Sequence, residues 1–207
     1  MSEQRARDRN QTEADIVEAA KRLIAREGFA AFGVNALARE AGCDKQLIYR
    51  YFGGLEGVID AVADDLADWV KTRLRPMLAL GQPADYAELI ERLGLGLLQA
   101  FRDDPLMLRI KAWEFAAPSP QLARIAAMRG MSLQQWMSEA RGTLAPPAEV
   151  DAPAVNALLI ASIEAFAVTA AASPSVYGMT LQTEQDWERL RKALRAIVAA
   201  IYGSPSS

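Results

Sequence analysis

Lys45, Gln46, Tyr49 and Arg50, within the run KQLIYRYF, bring four hydrogen-bonding side chains into six residues. Lys and Arg can donate to guanine O6 and N7, and Gln can pair with adenine N6 and N7. A Tyr hydroxyl can reach a phosphate oxygen, so one helix face bearing this set could read a DNA duplex. A tyrosine at this place could instead pack the domain and leave only its hydroxyl in water. Elsewhere the sequence offers little chemistry. There is no histidine, and Cys43 is the single cysteine, which removes zinc hydrolases, Ser-His-Asp triads and intrachain disulfides. The carboxylates are spread along helical faces, without an isolated pair in a polar loop. Gly94-Leu95-Gly96 lies inside an apolar helical run with no preceding strand, which disqualifies it as a nucleotide loop. The chain therefore reads as no enzyme, with no cofactor and no metal.

The donors need a scaffold, and hydrophobic spacing supplies one. Ile16, Ala19, Ala20, Leu23 and Ile24 fall on one face of a first helix, expected to start with Thr12 as its cap and to end at Gly28. A short helix over Val34 to Ala41 turns inward through Val34, Leu37, Ala38 and Ala41. Gly42 permits a sharp turn, and Asp44 caps the next helix, which turns Ile48 and Phe52 to the core. With those two buried, Lys45, Gln46, Tyr49 and Arg50 project outward. This is a helix-turn-helix plan, whose second helix enters the major groove.

From Gly28-Phe29 through Leu37-Ala38, Ala41-Gly42 and Tyr49-Arg50-Tyr51-Phe52 to Glu56, residues 12 to 60 resemble the TetR family of transcription regulators. The resemblance implies that Lys45, Gln46, Tyr49 and Arg50 face the groove, that Asn35 on the second helix can reach it, and that Tyr51 meets a phosphate. Two positions depart from the family pattern. Leu47 stands where Ser or Thr is usual and Leu55 where Lys is usual, and both changes remove contacts to the DNA backbone. Residues 1–11 read as a flexible arm whose Arg5, Arg7 and Arg9 could supply backbone contacts instead.

The remainder, residues 54–207, reads as a second helical domain, so the fold class is all-α with about nine helices and a domain boundary at 53/54. A long helix from Leu55 should stop at Arg75, before Pro76. Further helices are expected at about 84–102, 105–116, 120–140, 152–172 and 183–202. The resemblance implies a small-molecule effector of unknown identity, held in a pocket. Candidates for its lining are Trp69, Arg73, Phe101, Met107 and Ile110, with Trp113, Glu114, Trp136, Met137 and Phe166. Any of them could equally be ordinary core. Residues 152–172 are apolar nearly all round, and Leu190, Leu194, Ile197, Val198 and Ile201 form a stripe on the helix after them. These two helices are expected either to build a homodimer interface or to serve as internal core. A two-fold dimer would suit a palindromic DNA operator.

Net charge is −3, with nine Lys/Arg against eight Asp/Glu in residues 1–53. That balance permits DNA binding without arguing for it. No uninterrupted apolar run of about 18 residues or signal-like start is read from the sequence, so the expectation is a cytoplasmic protein with no membrane partner. The expected function is a ligand-released repressor. The alternative is a helical ligand-binding or interaction module of the same type that has lost specific DNA binding.

Overall fold

The computed structural model describes the backbone of residues 2–117 and 119–203, with side chains from residue 9 onward. Among these residues there are nine α-helices: α1 Ser2–Glu27, α2 Val34–Ala41, α3 Lys45–Phe52, α4 Leu55–Leu78 and α5 Tyr86–Arg102, then α6 Pro105–Ala116, α7 Pro120–Arg141, α8 Ala152–Ala172 and α9 Glu184–Tyr202. A 3-10 turn at Phe29–Ala31 follows α1, and a hairpin of two-residue strands, β1 Ser175–Val176 and β2 Met179–Thr180, precedes α9. The all-α expectation holds.

The chain forms two compact units: Met1–Trp69 with Arg109–Ser132, and Val70–Leu108 with Leu133–Ser207. The divisions fall inside α4, α6 and α7. In the first unit, Ile16, Ala19, Ala20, Leu23 and Ile24 are all buried, as is Leu37 of α2, against which α1 packs. In the second unit α5 packs against both α8 and α9. Its inward face is Leu89, Ile90, Leu93, Leu97 and Phe101, all buried.

Two expectations about element ends are corrected, and one element is added. The first helix does not begin at Thr12 after a flexible arm; it is continuous from Ser2. No glycine or proline interrupts that segment, and i,i+4 pairs tie successive turns together. Arg9 donates to Glu13 at 2.7 Å and Gln11 to Asp15 at 2.9 Å. The long helix α4 does not stop at Arg75 but carries Pro76 within its last turn and ends at Leu78. So close to the end, proline's missing N–H deprives only the carbonyl of Thr72, an exposed residue that water can serve. The hairpin was not anticipated, because two-residue strands are too short to show alternation. Its turn, Tyr177-Gly178, has positive φ at both positions, 49° and 81°, the geometry that suits the twist of a two-residue hairpin loop.

α8 differs from the sequence expectation in another way. With mean hydropathy 1.8 over its apolar window it is long and apolar enough to cross a membrane, by length and composition alone. Asn156, Ser162 and Glu164 interrupt the run. Only Ala152, Ile163 and Ala167 of this helix are buried within the chain.

Candidate nucleic-acid interface

The turn between α2 and α3 is built by two short-range devices. Gly42 closes α2 at φ 63°, a left-handed conformation costly for a residue with a Cβ, and its N–H bonds back toward Ala38 and Arg39. Asp44 then caps α3, its carboxylate accepting from the Gln46 N–H at 2.8 Å. Ile48 is fully buried and sets the rotation of α3. Phe52, expected in the core, is half-buried. In consequence Lys45, Gln46, Tyr49 and Arg50 all stand in solvent, Tyr49 with more than half its surface exposed. Asn35, in the first turn of α2, is exposed as well.

Tyr51 is half-buried, and two guanidinium groups approach its ring: Arg50 at 5.7 Å and Arg9, from α1, at 5.5 Å from the centroid. Arg9 was expected, with Arg5 and Arg7, to supply backbone contacts from an arm; its approach to Tyr51 joins positions 42 apart in the chain and was not legible there. Leu47 and Leu55, the two departures, are both half-buried. Cys43 lies beside this turn, and burial, with the neighbouring Asp44, pushes its thiol above the usual range.

The start of α4 is pressed closely onto the end of α3. A Cβ on Gly57 would stand 1.9 Å from the carbonyl oxygen of Phe52, so no other residue fits this corner.

The ten residues expected to line a pocket stand in varied surroundings. Trp136 lines a cleft of about 260 Å³ with Met77, Leu78, Leu89, Arg92 and Glu139. Phe101, Met107 and Ile110 are fully buried, Met137 and Trp69 half-buried. Arg73 is exposed, 3.4 Å from Asp104, and Phe166 meets the ring of Tyr177 edge-on. Trp113 lies against Gly28 and donates its indole N–H to the carbonyl of Ala25 at 3.3 Å, at the C-terminal end of α1. Glu114 accepts two bonds from Arg129, at 2.8 and 2.7 Å, and pairs with Lys111 at 2.8 Å. Burial raises the Glu114 carboxyl, but Arg129 and Lys111 more than offset it and leave the group below its ordinary range. Among the described residues no cluster of His, Cys, Asp or Glu could hold a metal ion.

Comparison with known proteins bears on the same segment. The family described as bacterial regulatory proteins, tetR family, matches residues 16–62. Over residues 16–62 the chain belongs to the TetR family. An HTH-type transcriptional repressor of Streptomyces coelicolor is 35% identical to this chain over 112 residues, 53% of this chain and 52% of that protein. An HTH-type transcriptional regulator of Mycobacterium tuberculosis, itself uncharacterised, is 31% identical over 125 residues, 54% and 58% of the two chains. The chain thus spans about half the length of the curated relatives it matches. Solved structures extend the likeness in fold beyond the TetR domain. A transcriptional regulator from Rhodococcus superposes with TM-score 0.66 at 19% identity, covering 94% of this chain and 99% of that one. A TetR family transcription regulator from Marinobacter aquaeolei gives 0.63 at 20% identity, covering 93% and 97%.

Proposed function

We propose that this chain is a DNA-binding transcription regulator that grips a palindromic operator as a homodimer in the cytoplasm and is released by a small-molecule effector. The observation that carries the reading is the α3 face. Within a TetR-type domain, Lys45, Gln46, Tyr49 and Arg50 stand exposed on the first two turns of the helix, while Ile48 is fully buried beneath them. Those side chains have the donors and acceptors that base edges and phosphates require, with Asn35 and Tyr51 at the flanks.

The homodimer is supported by α8 and α9. α8 is apolar on nearly all sides yet mostly uncovered, and Leu158 and Ile197 are exposed. A second copy related by a two-fold axis would cover this surface and would set two recognition helices about 34 Å apart, one helical turn of DNA. The effector belongs in the cleft at Trp136, whose apolar Met77, Leu78 and Leu89 are joined by the polar Arg92 and Glu139. A structural neighbour, EbrR, is described as a multidrug binding protein complexed with imidazole. Met77 and Leu78 close α4, whose other end adjoins α3. An effector that shifts this helix would change recognition-helix spacing, and a coupling of about 1–3 kcal/mol suffices to release an operator.

Selection of bound duplexes from a random pool tests the reading, with Tyr49→Ala in parallel. Recovery of a palindrome by the wild type, lost in the variant, is the expected result. Absence of enrichment at low salt would favour the alternative, a helical ligand-binding module, toward which the apolar Leu47 and Leu55 point.

A further inference from the structure

We propose that Arg9 contacts a DNA phosphate, extending the α3 interface onto the third turn of α1 at the Tyr51 ring, which both Arg9 and Arg50 approach. This rests on the reading of the N-terminal domain as a DNA-binding one. The guanidinium carbons of Arg9 and Arg50 lie 5.5 and 5.7 Å from the Tyr51 ring centre. Attraction between a guanidinium and the ring's negative face holds each cation beside the ring.

Arg9 is exposed, and its ion pair with Glu13 is made through Nε at 2.7 Å. That leaves both Nη groups outside this bond. Arginine presents five N–H donors in a rigid fork, so the side chain can keep Glu13 and the Tyr51 ring while its remaining donors meet a phosphate oxygen. α1 is helical from Ser2, which places Arg9 on a structured element. Ordering it on DNA costs less conformational entropy than ordering a flexible arm would. Leu55 contributes no cation at the opening of α4. Arg9 supplies positive charge on α1, beside Tyr51.

A phosphate contact has a signature that base reading and structural support lack. Each neutralised phosphate adds about 0.9 to the slope of log affinity against log salt, whatever the DNA sequence. The test uses the full chain and its selected palindromic duplex, titrated from about 50 to 300 mM salt. Arg9→Gln is expected to lower the slope by about 0.9 per bound Arg9 and to weaken palindrome and mutated sites equally. Arg9→Lys should keep the slope, because the charge remains. Glu13→Gln should tighten binding, because a carboxylate that repels the phosphate beside Arg9 is gone. An unchanged slope in Arg9→Gln, with wild-type binding intact, overturns the assignment to Arg9 and leaves the regulator reading standing. Loss of sequence preference at constant slope also overturns it, since that marks a base contact or a displaced α3. A wild type that selects no duplex overturns both readings.

Discussion

Asp186, at the start of α9, accepts four hydrogen bonds. It accepts from the Thr180 hydroxyl at 2.9 Å, the Gln182 N–H at 3.2 Å, and the N–H and hydroxyl of Thr183 at 3.0 and 2.9 Å. The Thr183 N–H, then the two hydroxyls, hold its carboxyl down to about 2. The unfolded chain takes up that proton near pH 3.9. The folded group resists protonation, so its contribution to stability is fully present above the unfolded value and is lost as pH falls toward about 2. Thermal unfolding of wild type and Asp186→Asn is expected to show a gap in midpoint at pH ~5 that closes by pH ~2. A gap that persists undiminished at the acid end would mean that shape, not charge, is what Asn fails to supply. The capping relation of Thr183 and Asp186 is written in their i,i+3 spacing. The bond from Thr180 is not, because it needs the hairpin to fold β2 back over the start of α9.

The corner between α3 and α4 is decided at the level of elements. Gly57, in the first turn of α4, is set by close approach rather than by a local sequence signal. The structure gives it a steric task, since a Cβ would meet the Phe52 carbonyl at 1.9 Å. Gly57→Ala sets two effects against each other. Alanine favours the helix by up to about 1 kcal/mol, and backbone overlap costs about 1–3 kcal/mol once the elements shift to relieve it. The clash is against backbone rather than the tip of a flexible side chain, so it should win. Net destabilisation in urea, with weakened DNA binding as α3 is displaced, is the expected outcome. A variant as stable as wild type would show that the corner opens freely. α1 and α4 teach a related lesson. Both run further than their local signals allow, because a possible cap such as Thr12 does not oblige a helix to start, and a proline in a last turn removes only one late bond.

At the scale of the whole molecule, α8 is the feature that a single chain leaves unexplained. Leu158 is 72% exposed and Ile197 on α9 47%, a pairing of apolarity and exposure that favours association. Leu158→Glu is expected to convert a two-fold dimer to a monomer in sedimentation equilibrium, to abolish the dependence of unfolding temperature on protein concentration, and to reduce operator binding to that of a half-site. A charge there leaves the buried Ile163 and Ala167 untouched, so the fold should survive. A wild type that sediments as a monomer, or a variant that still pairs, would refute the interface.

The sequence by itself determined the elements whose cause is local. Hydrophobic period set the buried face of α1, Gly42 and Asp44 set the turn, and the position of Ile48 turned Lys45, Gln46, Tyr49 and Arg50 to solvent. Only the tertiary structure decided which distant groups meet. It brought Arg9 to Tyr51, laid Trp113 against the end of α1, and closed Glu114 between Lys111 and Arg129. Periodicity reports which face of a helix is apolar, but helices of similar apolarity can pack in many arrangements. Contacts between residues far apart in the chain depend on crossing angles and close approaches that emerge only when the core is assembled.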